Sequence, residues 1–259
     1  MDFNLQASRM TIMPATAPAL TGGPPPSPAG PPAPPAQVAP LIERVRAGRE
    51  FGANVYSTVD VLWVLYDRVL RITPETADDP DRDRFLLSKG HAVAGYYAVL
   101  AAKGFVPVEW LDDQGGPDSR LGDHPDRLLV PGVEIGSGSL GHGLGLGVGT
   151  ALGLRAQGLL TPRVYVLLGD AELDEGSNHE AIAYAGAVGL ANLTAVVIDN
   201  GSATHGWPGG GAAARFAVNG WTAATVDGRD HDALHAALTG QDGNRPHAVV
   251  AVVRDGERA

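Results

Sequence analysis

Residues Val164–Glu172 read VYVLLGDAE, and residues Ala195–Ser202 read AVVIDNGS. Each stretch is a short aliphatic run that stops at a polar oxygen ligand followed by a small residue, which is typical of a buried parallel strand that ends at a site. The segment Asn178–Leu190 has helical spacing and is long enough to be the crossover that parallel strands need. The sequence therefore predicts Asp170 and Asn200 at the carboxyl ends of neighbouring strands, where open α/β sheets bind ligands.

These two side chains supply a carboxylate and an amide oxygen at one edge of the predicted sheet. Together with nearby backbone carbonyls they are hard donors suited to magnesium or calcium, but they are too few to complete an octahedron without ligand oxygens or water. The oxygens of a diphosphate would supply the missing ligands. The two residues alone leave a second interpretation open, in which Asp170 and Asn200 only begin turns after their strands.

The residues around this pair resemble the thiamine diphosphate motif, Gly-Asp-Gly followed further along by Asn, and more narrowly its transketolase version. Residues Gly169–Glu180 read GDAELDEGSNHE, which is similar to the transketolase run that ends in Glu-Gly-x-x-His-Glu, and Asp199–Gly201 closes the motif. Residues Asp83–Ala92 read DRFLLSKGHA, similar to the family segment in which a His near the cofactor diphosphate opens a helix. The resemblance continues, in the family's order, with GDHP, PGVE and GSGSLGHG at Gly122–Pro125, Pro131–Glu134 and Gly136–Gly143.

The resemblance implies an α/β fold, a Rossmann-like parallel sheet with helices on both faces, which is the diphosphate domain of the thiamine diphosphate-binding fold. It implies thiamine diphosphate and Mg²⁺ (or Ca²⁺) as cofactors. The residues that it places around them fall into three groups: Asp170, Asn200 and the carbonyl of Ser202 on the metal; Gly169, the amide of Ala171 and His91 on the diphosphate; and the backbone of Gly138 and Leu140 on the aminopyrimidine.

The resemblance also implies three residues that take part in catalysis. His91 would act beside the diphosphate, and His124 would meet the substrate, where an imidazole can stabilise oxygen charge. Glu175 would belong to an acidic network that tunes protonation of the cofactor and crosses to a second subunit. The ordinary alternatives are a hydrogen-bonded surface imidazole for each histidine, and for Glu175 a charge favoured near a helix N-terminus.

Several positions depart from the family pattern. Ala171 replaces the third residue of Gly-Asp-Gly, His142 stands where Gln is common, and His205 where an acidic residue is usual. The segment Arg49–Ser57, which in transketolases carries Ser-Gly-His-Pro-Gly, has no histidine, and a later family loop with another histidine is absent before Ala259. Transfer between sugar phosphates by the standard scheme is therefore less secure than the cofactor site.

The glycines of Gly136–Gly143 spell a G-x-G-x-x-G, but a dinucleotide site would need a preceding strand and a later acidic partner, which are missing. Helix packing explains the glycines better, because Gly141, Gly145, Gly149 and Gly153 recur every fourth residue. Each glycine weakens an isolated helix by up to about 1 kcal/mol relative to Ala. We therefore expect close burial of this stripe, for example at a subunit interface.

The length of the chain favours a protein that supplies only one of the two domains between which transketolases bind the cofactor. The 259 residues can bury one α/β core, whereas transketolases place the cofactor between this domain and a pyrimidine-binding domain. The resemblance thus implies a separate partner, a C-terminal transketolase-like subunit that carries the pyrimidine-binding domain, and a pair that dimerises into a heterotetramer.

The first forty residues differ from the rest, since they hold eleven of the chain's twenty prolines. This composition favours extended, solvated backbone, so we expect a disordered Pro/Ala-rich extension over residues 1–40 and a thiamine diphosphate-binding domain over 41–259. The sequence then predicts a helix pair, Leu41–Gly48 and Thr58–Ile72, and near the end a strand at Thr222–Val226, a helix at His231–Leu238 and a strand at His247–Val253.

Composition excludes several classes of protein. With 29 acidic and 19 basic residues, a net charge of -10 argues against nucleic acid as a partner. The absence of cysteine excludes disulfides and thiolate metal sites, and no apolar segment is long enough to span a membrane. We expect a soluble cytoplasmic protein that acts on a small molecule.

The predicted function is that of a transketolase-like subunit, dependent on thiamine diphosphate and magnesium, that transfers a two-carbon ketol or acyl unit from a ketose-type donor to an acceptor. In such enzymes the cofactor supplies the chemistry and the protein supplies placement. Two alternatives stay open: the alpha subunit of a 2-oxo acid dehydrogenase or decarboxylase, and a non-catalytic scaffold that binds its partner.

Overall fold

The structure, a computed structural model, describes residues 36–46, 56–203 and 210–253. Most of the predicted N-terminal extension, nearly all of the histidine-free segment Arg49–Ser57, and His205 lie outside the described residues.

The described residues form one parallel sheet of five strands in the order β1-β2-β3-β5-β4. The central strands consist mostly of aliphatic and β-branched residues and are almost wholly buried, as expected for strands covered on both faces. The strands are β1 Arg84–Leu87, β2 Val164–Gly169, β3 Leu193–Asp199, β4 Thr222–Asp227 and β5 His247–Val252.

Helices cover both faces of this sheet, which confirms the predicted fold class. One face packs against α1 Ala39–Arg46, α2 Tyr56–Val64, α3 Val93–Ala102 and α7 His231–Thr239. The other face packs against α4 His142–Ala156, α5 Gly176–Ala187 and α6 Gly211–Ala217. In the part of the chain that the structure describes, no helix is both long and apolar enough to cross a bilayer.

The first helices differ in their bounds from the prediction. Helix α1 begins at Ala39, which places Pro40 in its first turn, where proline needs no amide partner. The second predicted helix, Thr58–Ile72, is α2 followed by a π-helical segment, Leu65–Val69, and it ends where the amide of Leu70 bonds to the carbonyl of Leu65 at 2.8 Å. The wider turn buries Tyr66, whose hydroxyl lies 2.9 Å from that of Tyr96.

The unit β2-α5-β3 has the predicted form. Gly169 pairs with Ile198 in the parallel register, and the amide of Asp170 bonds to the carbonyl of Ile198 at 3.0 Å. The polar residues after β2 and β3 therefore begin at the same edge of the sheet.

Strand β1, which the sequence pattern did not predict, extends this edge on the other side of β2. Leu87 pairs with Leu167, and the amides of Ser88 and Lys89 both bond to the carbonyl of Leu167, at 2.9 and 3.0 Å. Residues from Ser88 to His91 are thereby held beside the end of β2.

The glycines of α4 that face the core are not those of the predicted stripe. A Cβ at Gly143 would lie 2.2 Å from Ser88 Oγ, and one at Gly147 would lie 2.3 Å from a methyl group of Val166. Three members of the stripe, Gly145, Gly149 and Gly153, have nothing within 4 Å of an added Cβ. The expected close burial of the stripe therefore does not occur within the described chain, and the outer face of α4 stays open.

Candidate functional site

Asp170 lies at the centre of the carboxyl edge of the sheet, buried at 6 % exposure. It follows the last residue of β2 and begins a single 3-10 turn, Ala171–Asp174. Its Oδ1 accepts bonds from the amide of Ala171 (2.9 Å) and the hydroxyl of Ser202 (2.6 Å). Its Oδ2 accepts bonds from the amides of Ser202 (2.8 Å) and Ala203 (3.2 Å).

The structure brings Asn200 to the same place. The amide of Ser202 also lies 3.2 Å from Asn200 Oδ1, so one N–H group is shared between the two predicted ligand side chains. Asp170, Asn200 and Ser202, the predicted metal group, thus lie together. The four bonds to Asp170 use the acceptor capacity of a carboxylate, so a cation there would have to replace some of them.

In the described residues, no group of three or more His, Asp or Glu side chains could hold a metal by itself. The two side-chain oxygens of the predicted site leave most positions of an octahedron to other oxygen donors.

A buried carboxylate that the sequence analysis missed, Glu172, ties the site loops together. It is 2 % exposed, and it accepts bonds from the Ser88 hydroxyl and from the amides of Gly141 (3.0 Å) and Gly169 (3.2 Å). Ser88 in turn accepts a bond from the amide of Gly143 at 3.1 Å. Burial raises the pKa of Glu172, and these hydrogen bonds oppose that rise.

Lys89 was also missed. It is 8 % exposed, and its methylene groups run along Gly169, with Cδ 3.5 Å from the position of an added Cβ. Its Nζ is buried and has no hydrogen-bond acceptor among the described residues. Burial lowers the pKa of Lys89, while the charges of Asp170 and Glu172 act in the opposite direction.

The two predicted catalytic histidines lie in contact beside this cluster. The rings of His91 and His124 are 5.9 Å apart at an angle of 61°. A Cβ at Gly90 would lie 2.8 Å from His124 Nδ1, and one at Gly138, whose φ is +122°, would lie 2.9 Å from His124 Cδ2. Only glycine leaves room for the imidazole between these two backbones.

The other predicted residues lie on the rim of the site. Gly138 and Leu140 are exposed, Leu140 at 46 %. Glu175 is exposed at the N-cap of α5 without a side-chain capping bond, and its Cβ lies 2.5 Å from the position of a Cβ on Gly141. Glu175 is therefore exposed, in contrast to the buried carboxylates of Asp170 and Glu172.

The missed residues have a weak sequence signal. Ser88 and Lys89 stand directly before the quoted Gly90-His91 pair, and Glu172 lies two residues after Asp170. Charged residues are seldom buried, so the burial of Lys89 and Glu172 could not be predicted without knowledge of the tertiary contacts.

The chain is similar to several known proteins. The family model described as "Transketolase, thiamine diphosphate binding domain" matches residues 41–254. One of the curated relatives is a subunit of apulose-4-phosphate transketolase from Actinobacillus succinogenes. It is 44% identical over 147 residues, which are 57% of this chain and 52% of that protein.

A second relative carries a different kind of name. "Ferredoxin fas2" of Rhodococcoides fascians is 54% identical over 213 residues, which are 82% of this chain and 70% of that protein. Iron–sulfur clusters are held by cysteine thiolates, and the 259 residues here contain none. The similarity therefore lies in a region that, in this chain, has no means of binding such a cluster.

Among solved structures, a crystal structure of a transketolase mutant from Pichia stipitis superposes with a TM-score of 0.70 at 28% identity. The match covers 84% of this chain and 36% of that one. The chain therefore spans about a third of that solved transketolase and about half of the apulose-4-phosphate transketolase relative.

Proposed function

The chain belongs to the transketolase family through its thiamine diphosphate-binding domain, and we propose that it is one subunit of a two-component enzyme that transfers a two-carbon ketol unit from a ketose-type donor to an acceptor. The family match confirms the family and the class of enzyme that the sequence predicted, a thiamine diphosphate-dependent transferase. The single observation that carries the proposal is the meeting of Asp170, Asn200 and Ser202 at the ends of β2 and β3.

The residues present fit the cofactor and its metal. Asp170 and Asn200 offer hard oxygen donors, Lys89 offers a buried amino group without an acceptor among the described residues, and Gly90 and Gly138 keep side-chain volume out of the space around His124. In the proposal, Asp170, Asn200 and the carbonyl of Ser202 hold Mg²⁺ or Ca²⁺. When bound, thiamine diphosphate supplies the chemistry by which the carbon–carbon bond is broken and made.

The diphosphate contacts are proposed for Gly169, the amide of Ala171 and His91, and the aminopyrimidine contacts for the backbone of Gly138 and Leu140. In the structure the amide of Ala171 bonds to the carboxylate of Asp170. It becomes available to a phosphate oxygen only if that carboxylate turns towards the metal.

His124 is proposed to face the substrate. Its backbone carbonyl accepts a bond from the hydroxyl of Tyr97 at 3.2 Å, and its ring is confined between Gly90 and Gly138 and beside His91. A ring held in this way can donate to a substrate hydroxyl or oxyanion without first losing freedom of rotation. Its exposed position leaves it accessible from the mouth of the site.

The proposed partner is a separate C-terminal transketolase-like subunit that carries the pyrimidine-binding domain, and the complete assembly is a heterotetramer. The name of a relative, which is itself one subunit of a transketolase, supports this. The open face of α4 supports it further, since the exposed side chain of Leu146 (49 %) follows the open Gly145 on that helix, and Tyr184 on α5 is also exposed (50 %). Glu175, exposed at the start of α5, is proposed to enter the acidic network across that interface.

We also retain as proposals the division into a Pro/Ala-rich extension (1–40) and a cofactor domain (41–259), a cytoplasmic location, and a small-molecule substrate. The donor and acceptor are left open by the positions that depart from the family pattern, among them His142 and His205. The alternatives to be tested are a component of a 2-oxo acid dehydrogenase or decarboxylase, and a scaffold without turnover.

The first test is calorimetry of the purified chain with thiamine diphosphate and Mg²⁺, alone and with its partner. We expect saturable, metal-dependent uptake that Asp170→Ala and Asn200→Ala each abolish, because each removes an oxygen donor to the same ion. Tight binding of the partner without uptake of the cofactor would favour the scaffold. With the complex in hand, ketose phosphates and 2-oxo acids are offered in parallel, and carbon dioxide released from a 2-oxo acid with ketoses untouched would refute ketol transfer.

A further inference from the structure

Lys89 has a buried amino group that the fold does not use. The residue is 8 % exposed, its methylene groups lie along Gly169 at the end of β2, and Nζ has no acceptor among the described residues. A buried ammonium group needs acceptors for its three donors, because burial removes the water that would otherwise fill them. The position therefore points to an oxygen-rich ligand.

The neighbouring carboxylates do not fill this role by hydrogen bonding. Asp170 accepts its bonds from the amides of Ala171, Ser202 and Ala203 and from the Ser202 hydroxyl. Glu172 accepts its bonds from Ser88 and from two backbone amides. Both carboxylates attract the Lys89 charge from nearby, but Asp170 already accepts four bonds and Glu172 three, and neither accepts one from Nζ.

The choice of lysine at this position stands out against the composition. The chain has 17 arginines and two lysines, Lys89 and Lys103. Lys103 is part-buried and has partners for its charge, since Nζ pairs with Asp67 and lies 4.0 Å from the ring centroid of Trp63. At position 89 a compact ammonium fits beside Gly169, where a planar guanidinium would need more room.

We propose that Lys89 donates from Nζ to the diphosphate of the cofactor, as a binding residue that acts beside the metal ion. This inference rests on the proposed function and adds a contact to it. Lys89 comes from the loop after β1, whereas the proposed metal ligands come from the loops after β2 and β3. The diphosphate would thus be bound from two sides of the strand end of β2.

The test compares Lys89→Met with Lys103→Met in the full-length chain. Methionine keeps an unbranched chain along Gly169 and removes only the charge and the donors. The affinity of each variant is measured by calorimetry for two probes, thiamine diphosphate and inorganic pyrophosphate. Both titrations are done in the presence of Mg²⁺. We expect Lys89→Met to weaken both by about tenfold to a hundredfold, the range of one charge-assisted hydrogen bond, and Lys103→Met to change neither.

The melting temperature of the unliganded protein gives a second readout. Lys89→Met is expected to melt at the same temperature as the wild type or higher, since an unpaired buried charge is replaced by an apolar side chain. A residue needed only as a counter-ion for Asp170 and Glu172 would behave in the opposite way, with a lower melting temperature and unchanged affinity. That pattern would overturn the inference.

Two further results would also overturn it: wild-type affinity for both probes in Lys89→Met, or a loss with thiamine diphosphate that pyrophosphate does not share. If Lys89→Met does not fold, Lys89→Gln takes its place in the same comparison. A wild-type chain that binds neither probe, alone or with its partner, would refute the proposed function itself. Binding by the wild type that is insensitive to Lys89 would refute only the contact proposed here.

Discussion

Gly143 and Gly145 lie two residues apart on α4 and have opposite surroundings. A Cβ at Gly143 would lie 2.2 Å from Ser88 Oγ and 2.3 Å from Ser88 Cβ, whereas nothing stands within 4 Å of one at Gly145. The amide of Gly143 also donates to Ser88, which in turn bonds to Glu172. The missing side chain of Gly143 is therefore what allows α4 to reach the loop after β1.

We expect Gly143→Ala to lower the free energy of unfolding by about 1–3 kcal/mol, the usual range for an overpacked core. Gly145→Ala serves as the matched control and is expected to raise it by up to about 1 kcal/mol, because alanine has the higher helix propensity. Urea denaturation of both variants measures the difference. Equal effects of the two substitutions would show that α4 does not pack against Ser88 as described.

At the scale of single residues, the sequence could predict the positions of side chains that come directly after the end of a strand. Asp170 and Asn200 are of this kind, since two buried strands and one crossover helix fix their relative position. Lys89 and Glu172 are of another kind. Their burial depends on β1 and α4 packing against the end of β2, and these contacts join parts of the chain far apart in sequence.

Among the elements, those with long apolar runs were predicted within a few residues, including β2, β3, β5, α5 and α7. Strand β1 was missed because it has only four residues and begins with Arg84. Arg84 is only part-buried because the sheet ends at β1, and an edge strand does not need an unbroken apolar run. The direction in which α4 faces was also beyond the sequence, since glycines occur on both of its sides.

His247 joins three elements at the beginning of β5. Its Nδ1 lies 2.7 Å from the hydroxyl of Thr222 on β4, and its Nε2 lies 3.1 Å from the carbonyl of Ala237 on α7. The ring satisfies both partners when it is neutral, with Nε2–H as donor and Nδ1 as acceptor. Burial lowers the pKa of His247, against the opposing effects of the bond to Ala237 and the charge of Asp242.

A lowered pKa in the folded state means that the unfolded chain takes up the proton first as the pH falls. The contribution of His247 to stability is therefore complete above its ordinary pKa of 6.5 and is lost as the pH drops through the lowered value. We expect the free energy of unfolding to decrease between pH 8 and pH 5 by less in His247→Gln than in the wild type. His235→Gln is the control, and an identical decrease in all three proteins would contradict this role.

At the scale of the whole molecule, the outer face of α4 and α5 is the feature that one chain does not explain. Gly145, Gly149 and Gly153 of α4 have open space where a side chain would stand, and the side chains of Leu146 on α4 and Tyr184 on α5 are exposed. Glycines in a helix interior cost stability unless another backbone comes close. The sequence predicted the stripe and its need for a partner, and the structure leaves that partner to the proposed second subunit.

We expect Gly149→Leu to weaken assembly with the subunit that carries the pyrimidine-binding domain, while the isolated chain melts at the same temperature or higher. The added side chain fills the space that a close backbone would need, yet it favours the helix. Sedimentation velocity of the mixed subunits measures the loss, with Leu160→Ala, a change at a residue 78 % exposed, as the control. Unaltered assembly of Gly149→Leu would place the interface elsewhere.

The order of the strands along the chain determines which parts of the site depend on local contacts and which on long-range pairing. Val164 to Ser202 is one continuous β-α-β unit, and it contains Asp170, Glu172, Asn200 and Ser202. Strand β1, by contrast, is separated from β2 in the chain by α3 and α4. Its pairing with β2 therefore closes a longer loop, which costs more conformational entropy. The part of the site that carries the proposed metal ligands can thus form from local contacts, whereas the part that carries Ser88, Lys89 and His91 depends on a long-range pairing to reach it.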